Sequence, residues 1–159
     1  MRICVCTSRI TNSCTNSICW YCWHNWYLAW LPTIYESVWL IMYFIWKEFK
    51  FSASHVLEGL PDDHQCARLH GHNYTIEVEL QHEHLDDTGF IVDFGQLKPI
   101  KEYIDGTLDH RHLNDVLTFN PTAENMAYFM FALFQSMFPM VCAVRVKETD
   151  TSWAEYRAH

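Results

Sequence analysis

From His70 to Leu80 the chain alternates without a break. His70, His72, Tyr74, Ile76, Val78 and Leu80 share one parity, while Asn73, Thr75, Glu77 and Glu79 hold the other. Successive side chains of a strand point to opposite faces, so the pattern predicts a strand with one face covered and one face wet. The constraint is severe. Whatever covers Tyr74 to Leu80 has to leave room, at one end of the same face, for two imidazoles two residues apart.

The flanking sequence supplies a fold in which that is possible. In Glu48–Leu57, residues Phe49, Phe51, Ala53 and His55 fall at spacing two, a second strand face that ends on a histidine. A polar loop, Glu58–Arg68, follows, with Gly59 and Pro61 as breakers and Cys66 near its end. Asp86–Gly89 reads as a turn, and Phe90–Phe94 as a short third strand or the approach to a helix. Leu97, Ile100, Lys101 and Ile104 form a helical stripe with Pro99 in its first turns and Gly106 as its stop. Leu108–Val116 is polar and irregular. Asn120 and Pro121 are expected to open a second helix as cap and first residue, with Met126, Met130, Leu133, Phe134 and Met137 as its buried face. Two closing strands, Val141–Thr149 and Ser152–Arg157, turn through Asp150-Thr151. The order predicts an α+β domain, an antiparallel four-stranded sheet with two helices on one face.

Composition bounds this domain. Residues 1–46 hold five of the seven Cys and six of the seven Trp but no Gly and no Asp, whereas nine of the ten His come later. Three functions could be asked of that opening segment. A membrane span needs about 20 mainly apolar residues, and Pro32 and Glu36 interrupt Trp26–Trp46, leaving Val38–Trp46 as its one clean run. A secretory signal needs a basic start running into an apolar core, and Cys4–Ser17 is polar instead. A metal site built on Cys4, Cys6, Cys14, Cys19 and Cys22 has only the Cys19-x2-Cys22 spacing in its favour. The expectation is therefore an atypical Cys/Trp-rich leader over residues 1–41, an over-extended start or unstructured segment, ahead of a working domain over 42–159. A tethered form using residues 18–46 is the alternative. The net charge of -8 argues against nucleic acid as partner.

The chemistry-bearing residues sit in the later part. Three imidazoles, His55, His70 and His72, with no fourth protein ligand are the donor set of an open catalytic zinc site. Neutral imidazole binds zinc, so the set adds little charge to a pocket. Taken singly, each histidine reads more readily as an ordinary hydrogen-bonded residue; the His70-Gly71-His72 pair shifts the balance towards metal. Cys66 lies four residues before His70, and a thiolate beside a cation can act as base or nucleophile. As a fourth ligand it would instead close the site. Asp109-His110 is a carboxylate beside an imidazole, a proton-transfer pair whose adjacency alone is a weak signal. Glu148 ends the apolar row Val144 and Val146, where an unpaired carboxylate is costly unless a ligand's N–H groups meet it.

Several motifs in these segments occur together in one known family. They are Phe51-Ser-Ala-Ser-His55, Cys66-Ala-Arg-Leu-His-Gly-His72-Asn-Tyr74, Gly89-Phe-Ile-Val-Asp-Phe94 and Leu97-Lys98. With them come Leu108-Asp-His110, Leu113-Asn-Asp115, Asn120-Pro-Thr-Ala-Glu124 and Val146-Lys-Glu-Thr149. The sequence resembles the 6-pyruvoyltetrahydropterin synthase family over about residues 44–158. The Cys66-x3-His70 spacing is similar to that of its queuosine-pathway branch, the 6-carboxy-5,6,7,8-tetrahydropterin synthases. The resemblance implies the tunnelling fold (T-fold), in which three copies close their sheets into a barrel, two trimers stack as a hexamer, and active sites form at subunit interfaces. It implies 7,8-dihydroneopterin triphosphate as substrate, with 6-carboxytetrahydropterin, acetaldehyde and triphosphate as products, in a cytoplasmic enzyme. His55, His70 and His72 would be zinc ligands, Cys66 the proton acceptor, Asp109 and His110 the relay, and Glu148 the anchor of the pterin and a possible member of the relay. Two alternatives remain, the pyruvoyl-forming activity and a non-catalytic zinc- or pterin-binding module. Arg111 and His112 after the relay, and Asp150-Thr-Ser-Trp153 after Glu148, depart from the common family pattern.

Overall fold

The computed structural model describes residues 42–158. The leader expected over 1–41, with its Cys19-x2-Cys22 pair, lies outside the described residues. Strand β1, Tyr43–His55, pairs antiparallel with β2, His70–His82, in the register Phe49↔Ile76, Phe51↔Tyr74, Ala53↔His72 and His55↔His70. β3, Val141–Thr149, and β4, Ser152–Arg157, complete an antiparallel sheet of order β1-β2-β3-β4. The alternation written in β2 is realised in full. Tyr74, Ile76, Val78 and Leu80 are wholly buried, and Val78 and Ile76 lie opposite Val144 and Val146. Each such aliphatic side chain contributes about 1.5–3 kcal/mol by leaving water.

The helices cover that face. α1, Lys98–Tyr103, carries Pro99 in its first turn and follows a 3-10 turn, Phe94–Leu97, capped by Asp93, which accepts the Gly95 N–H at 2.8 Å. Phe90–Phe94 is thus an approach to a helix, not a strand. The helical run does not stop at Gly106. It widens into a π-turn over Ile104–Leu108, with the Asp109 N–H donating to the Ile104 carbonyl at 3.0 Å. Gly106 has no left-handed backbone and sits exposed, so its helix-ending property goes unused. The extra residue brings Leu108, wholly buried, under β1 beside Ile100 and Ile104. A single helical turn, α2, Leu113–Val116, buries Leu113 where an irregular segment was expected.

α3 spans Ala123–Met137 and packs on β3 and β4. Its cap is Thr122, whose hydroxyl accepts the Asn125 N–H at 3.3 Å, rather than Asn120. Asn120 is committed elsewhere, as shown next. Met126, Met130 and Phe134 are buried as expected, with Leu133 half-buried, but Met137 is exposed and Ala127 and Phe131 take up the rest of the packing face.

The free edge of β1 is occupied near its end by the chain between α1 and α3. Ser52 donates its N–H to Asp109 Oδ1 at 2.9 Å, and its carbonyl accepts the His110 N–H at 2.7 Å. Ser54 donates to the Arg111 carbonyl at 3.0 Å and pairs parallel with His112. Beyond the strand, Asn114 both accepts from and donates to the Val56 backbone at 2.9 Å, and Asn120 does the same for Glu58 at 3.0 Å. Two carboxamides thereby extend the ladder where backbone pairing ends. An Asn114→Ala variant leaves a part-buried N–H and C=O of Val56 without partners. Its unfolding free energy in urea is expected to fall by about 1–3 kcal/mol, whereas an unchanged midpoint would show that solvent satisfies both groups.

Candidate active site

The pairing of His55 with His70 and of Ala53 with His72 brings three imidazoles together at the end of the β1–β2 ladder. Their ligand atoms lie within 4.8 Å of one another, and Cys66 is not part of that group. The Nε2 atoms of His55 and His70 are 3.0 Å apart. Two nitrogens on one tetrahedral zinc stand about 3.3 Å apart, from Zn–N distances of about 2.0–2.1 Å, so the pair is spaced for a shared ion. Gly71, between the two β2 histidines, lies against β1, where an added Cβ would meet the Ala53 carbonyl oxygen at 3.1 Å.

The tautomers follow from backbone partners. His55 Nδ1 is 2.9 Å from the Pro121 carbonyl and His70 Nδ1 is 2.7 Å from the Arg68 carbonyl. A carbonyl only accepts, so each Nδ1 carries the proton and each Nε2 presents its lone pair to a metal. The Tyr74 hydroxyl also lies 3.2 Å from His55 Nδ1. His55 is buried, and burial lowers its pKa below the ordinary 6.5; the Pro121 carbonyl acts in the opposite sense, and the nearby His70, His72 and His112 add to the lowering. His55 and His70 are thus oriented by backbone carbonyls, and with His72 they form a donor set suited to zinc.

Cys66 sits in a 3-10 turn, Gln65–Ala67, on the loop that returns to β2. It is a free, half-buried thiol. Its backbone is fixed on both sides, by the Leu57 N–H donating to its carbonyl at 2.9 Å and by its own N–H donating to His64 Nδ1 at 3.1 Å. Glu148 occupies the irregular position of β3 between Lys147 and Thr149. It is half-buried, and its carboxylate makes no hydrogen bond or ion pair with another described residue. Its charge, after burial itself, raises the pKa of the wholly buried Tyr74 hydroxyl, which stands beside His55 and His72.

Asp109 and His110 form a pair, with Oδ2 and Nδ1 2.8 Å apart. Asp109 spends its other oxygen on the Ser52 N–H, and that bond, followed by the one to His110, holds its carboxyl below the ordinary range. His110 has the left-handed φ of +56°, uncommon for a residue with a Cβ, where the chain turns from the π-turn to run beside β1. Cys66 is not among the residues that line the cavity at His110. His110 lines a cavity of about 510 Å³ with Ser52, Ser54, Gly71, Asn73, Arg111 and His112, and of the three clustered imidazoles only His72 borders it. Strand alternation directs Ser52, Ser54 and Asn73 away from the face of His55 and His70.

Sequence reading thus located the three histidines but missed the groups that orient them. Tyr74 could have been found, since it follows His72 at spacing two. The Pro121 and Arg68 carbonyls carry no residue-type signal.

Residues 44–159 match the family described as 6-pyruvoyl tetrahydropterin synthase. The 6-carboxy-5,6,7,8-tetrahydropterin synthase of Synechocystis is 38% identical over 122 residues, covering 72% of this chain and 93% of the relative. The Bacillus subtilis protein of the same name is 33% identical over 124 residues, covering 70% of this chain and 82% of the relative. Among solved structures, the Caenorhabditis elegans 6-pyruvoyl tetrahydropterin synthase superposes with a TM-score of 0.66 at 28% identity, covering 75% of this chain and 97% of that one. No helix among the described residues is long and apolar enough to cross a membrane.

The His55 environment predicts an acid sensitivity of the metal-free protein. A depressed folded-state pKa means that the unfolded chain takes up protons first, so the stability this group contributes is complete above 6.5 and lost as pH falls through the folded value. Urea unfolding of metal-free protein at about pH 7.5 and about pH 5.5 should show a loss that His55→Gln reduces. An identical loss in the variant would assign the sensitivity to other groups.

Proposed function

Since the chain belongs to the 6-pyruvoyl tetrahydropterin synthase family, we propose that it is a cytoplasmic zinc-dependent carbon–carbon lyase. It converts 7,8-dihydroneopterin triphosphate to 6-carboxy-5,6,7,8-tetrahydropterin, acetaldehyde and triphosphate, a step of 7-deazaguanine (queuosine) biosynthesis. The observation that carries this reading is the cluster of three imidazoles, two of them oriented by backbone carbonyls, in a chain whose relatives from Synechocystis and Bacillus subtilis bear the carboxy-forming name.

His55, His70 and His72 would hold zinc, which when bound would supply Lewis acidity towards the substrate's side-chain hydroxyls. The protein's own groups do the rest. Cys66, fixed in its turn, takes the proton from the side-chain carbon. Asp109 holds His110 Nδ1, leaving Nε2 as the site that exchanges a proton with the substrate. Glu148, a carboxylate without a protein partner, accepts from the amino and ring N–H groups of the pterin and can join the relay. The neutral Tyr74 hydroxyl, between His55 and Glu148, packs the wall of the pocket.

Two features support a homo-oligomer, a hexamer built as a dimer of trimers. Among the described residues the four strands do not close, so β4 and the start of β1 leave edges that a neighbouring copy can pair. His110 lines a cavity whose lining does not include Cys66, as expected if the Asp109–His110 pair serves a site completed by another copy. The rival pyruvoyl-forming activity would retain the three-carbon side chain.

Product analysis on the zinc-loaded protein separates these readings: acetaldehyde and the carboxypterin are expected, and a retained side chain would overturn the assignment in favour of the rival. Cys66→Ala is expected to lower kcat by about 10²–10⁴-fold with bound zinc unchanged. Full turnover in that variant would remove Cys66 as the base.

A further inference from the structure

We propose that Arg111 and the cavity it lines form an anion subsite that takes the triphosphate of the substrate. The identity of the molecule carrying the anion rests on the pterin-synthase reading; the subsite itself rests on charge and geometry.

Residues 47–159 hold nine Lys and Arg against eighteen Asp and Glu, so a polyanion meets an adverse overall field and needs local cations. Most described cations are already committed. Lys50, Lys98 and Lys101 pair with Glu48, Glu102 and Asp105. Arg145, Lys147 and Arg157 are woven into the carboxylates of Glu77, Glu79 and Glu155 on the sheet. Lys47 sits over Phe49 and Phe94 and donates to the Phe94 carbonyl at 2.8 Å. Among the described residues, Arg68 and Arg111 remain with neither a carboxylate nor another side-chain partner of this kind.

Arg111 differs from a solvated surface arginine in where it stands. Its backbone is pinned to β1 through Ser54, and the residue lines the 510 Å³ cavity that His110 also lines. Among the described residues no carboxylate lines that cavity, although acids outnumber bases two to one over residues 47–159. The nearest in sequence, Asp109, has both oxygens engaged, by Ser52 and His110. Donors are available instead. Asn73 accepts from the Ser52 hydroxyl through Oδ1 at 2.8 Å, which leaves its NH₂ group for a ligand. His112 meets the Ser54 hydroxyl through Nδ1 at 3.1 Å, and in the tautomer whose Nδ1 accepts that proton Nε2–H is a further donor.

The substrate's chemistry fits this arrangement. Its triphosphate hangs from the last carbon of the same three-carbon side chain on which His110 would act, so a cation next to the relay histidine meets the anion close to the reacting carbons. A guanidinium grips two phosphate oxygens at once, which an ammonium cannot do.

The test is calorimetric titration of inorganic tripolyphosphate into the zinc-loaded full chain, its Arg111→Ala and Arg111→Lys variants, and Lys98→Ala as a surface control. The wild type and the control should bind alike. Arg111→Ala should bind about tenfold to a hundredfold more weakly, Arg111→Lys in between, and unphosphorylated dihydroneopterin should bind all four equally. With the triphosphate substrate, Arg111→Ala should raise KM more than it lowers kcat. Wild-type protein that ignores tripolyphosphate, or Arg111→Ala that binds it unchanged while thermal unfolding shows a folded chain, overturns the subsite. Turnover with an unaffected Arg111→Ala sinks the subsite and leaves the enzyme reading standing. Arg111-dependent tripolyphosphate binding without carboxypterin formation does the reverse.

Discussion

The pairing of β1 with β2 in a single register is the constraint on which the rest depends. It sets His55 opposite His70 and Ala53 opposite His72, so three imidazoles emerge on one face at one end of the ladder. A slip of one residue would turn every side chain of a strand to the other face and separate the histidines. Apolar burial guards against the slip. Phe51 stacks on Tyr74 with ring centroids 4.9 Å apart, and Ile76, Val78 and Leu80 are wholly buried on the same face. The hydrophobic term that folds the sheet therefore also aligns the metal ligands.

The opposite face carries a different kind of order. Glu48 and Glu77 lie directly across β1 and β2, an arrangement that repels unless a cation stands between them. Lys147 from β3 reaches both, and Arg145 bridges Glu77 to Glu155 on β4. This lattice ties all four strands together, keeps the face polar, and consumes cations that would otherwise be free for an anionic ligand. Against the cost of partial burial, two carboxylates in it are held below the ordinary range by their partners, Glu77 by Lys147 and Arg145 and Glu155 by Arg145 and Arg157.

The segment from Asp109 to Thr122 performs three tasks along one edge. It pairs with Ser52 and Ser54, it extends the ladder through the carboxamides of Asn114 and Asn120, and it delivers the Pro121 carbonyl to His55. The same commitments explain two departures from local expectation. Asn120 cannot cap α3 because its side chain is bound to Glu58, so Thr122 does so. The helix before the segment passes through Gly106 because Leu108 gains full burial under β1, which outweighs a glycine's preference for ending helices.

The sequence by itself determined the α+β order, the faces of β1 and β2 and the identity of the imidazole set. A period of two is a local property, and a histidine's parity relative to Phe51 or Tyr74 decides its face wherever the strand goes. Only the tertiary structure decided what each functional group meets. Pro121 lies 66 residues from His55, Asp109 57 from Ser52, and Asn120 62 from Glu58. Contacts at such separations leave no periodic trace, and two of the partners, the Pro121 and Arg68 carbonyls, belong to the backbone that every residue shares. The adjacency of Asp109 and His110 was visible in the chain. Their engagement at 2.8 Å, the left-handed turn that makes it possible, and their position beside a carboxylate-free cavity follow from how that segment is pinned to the edge of β1.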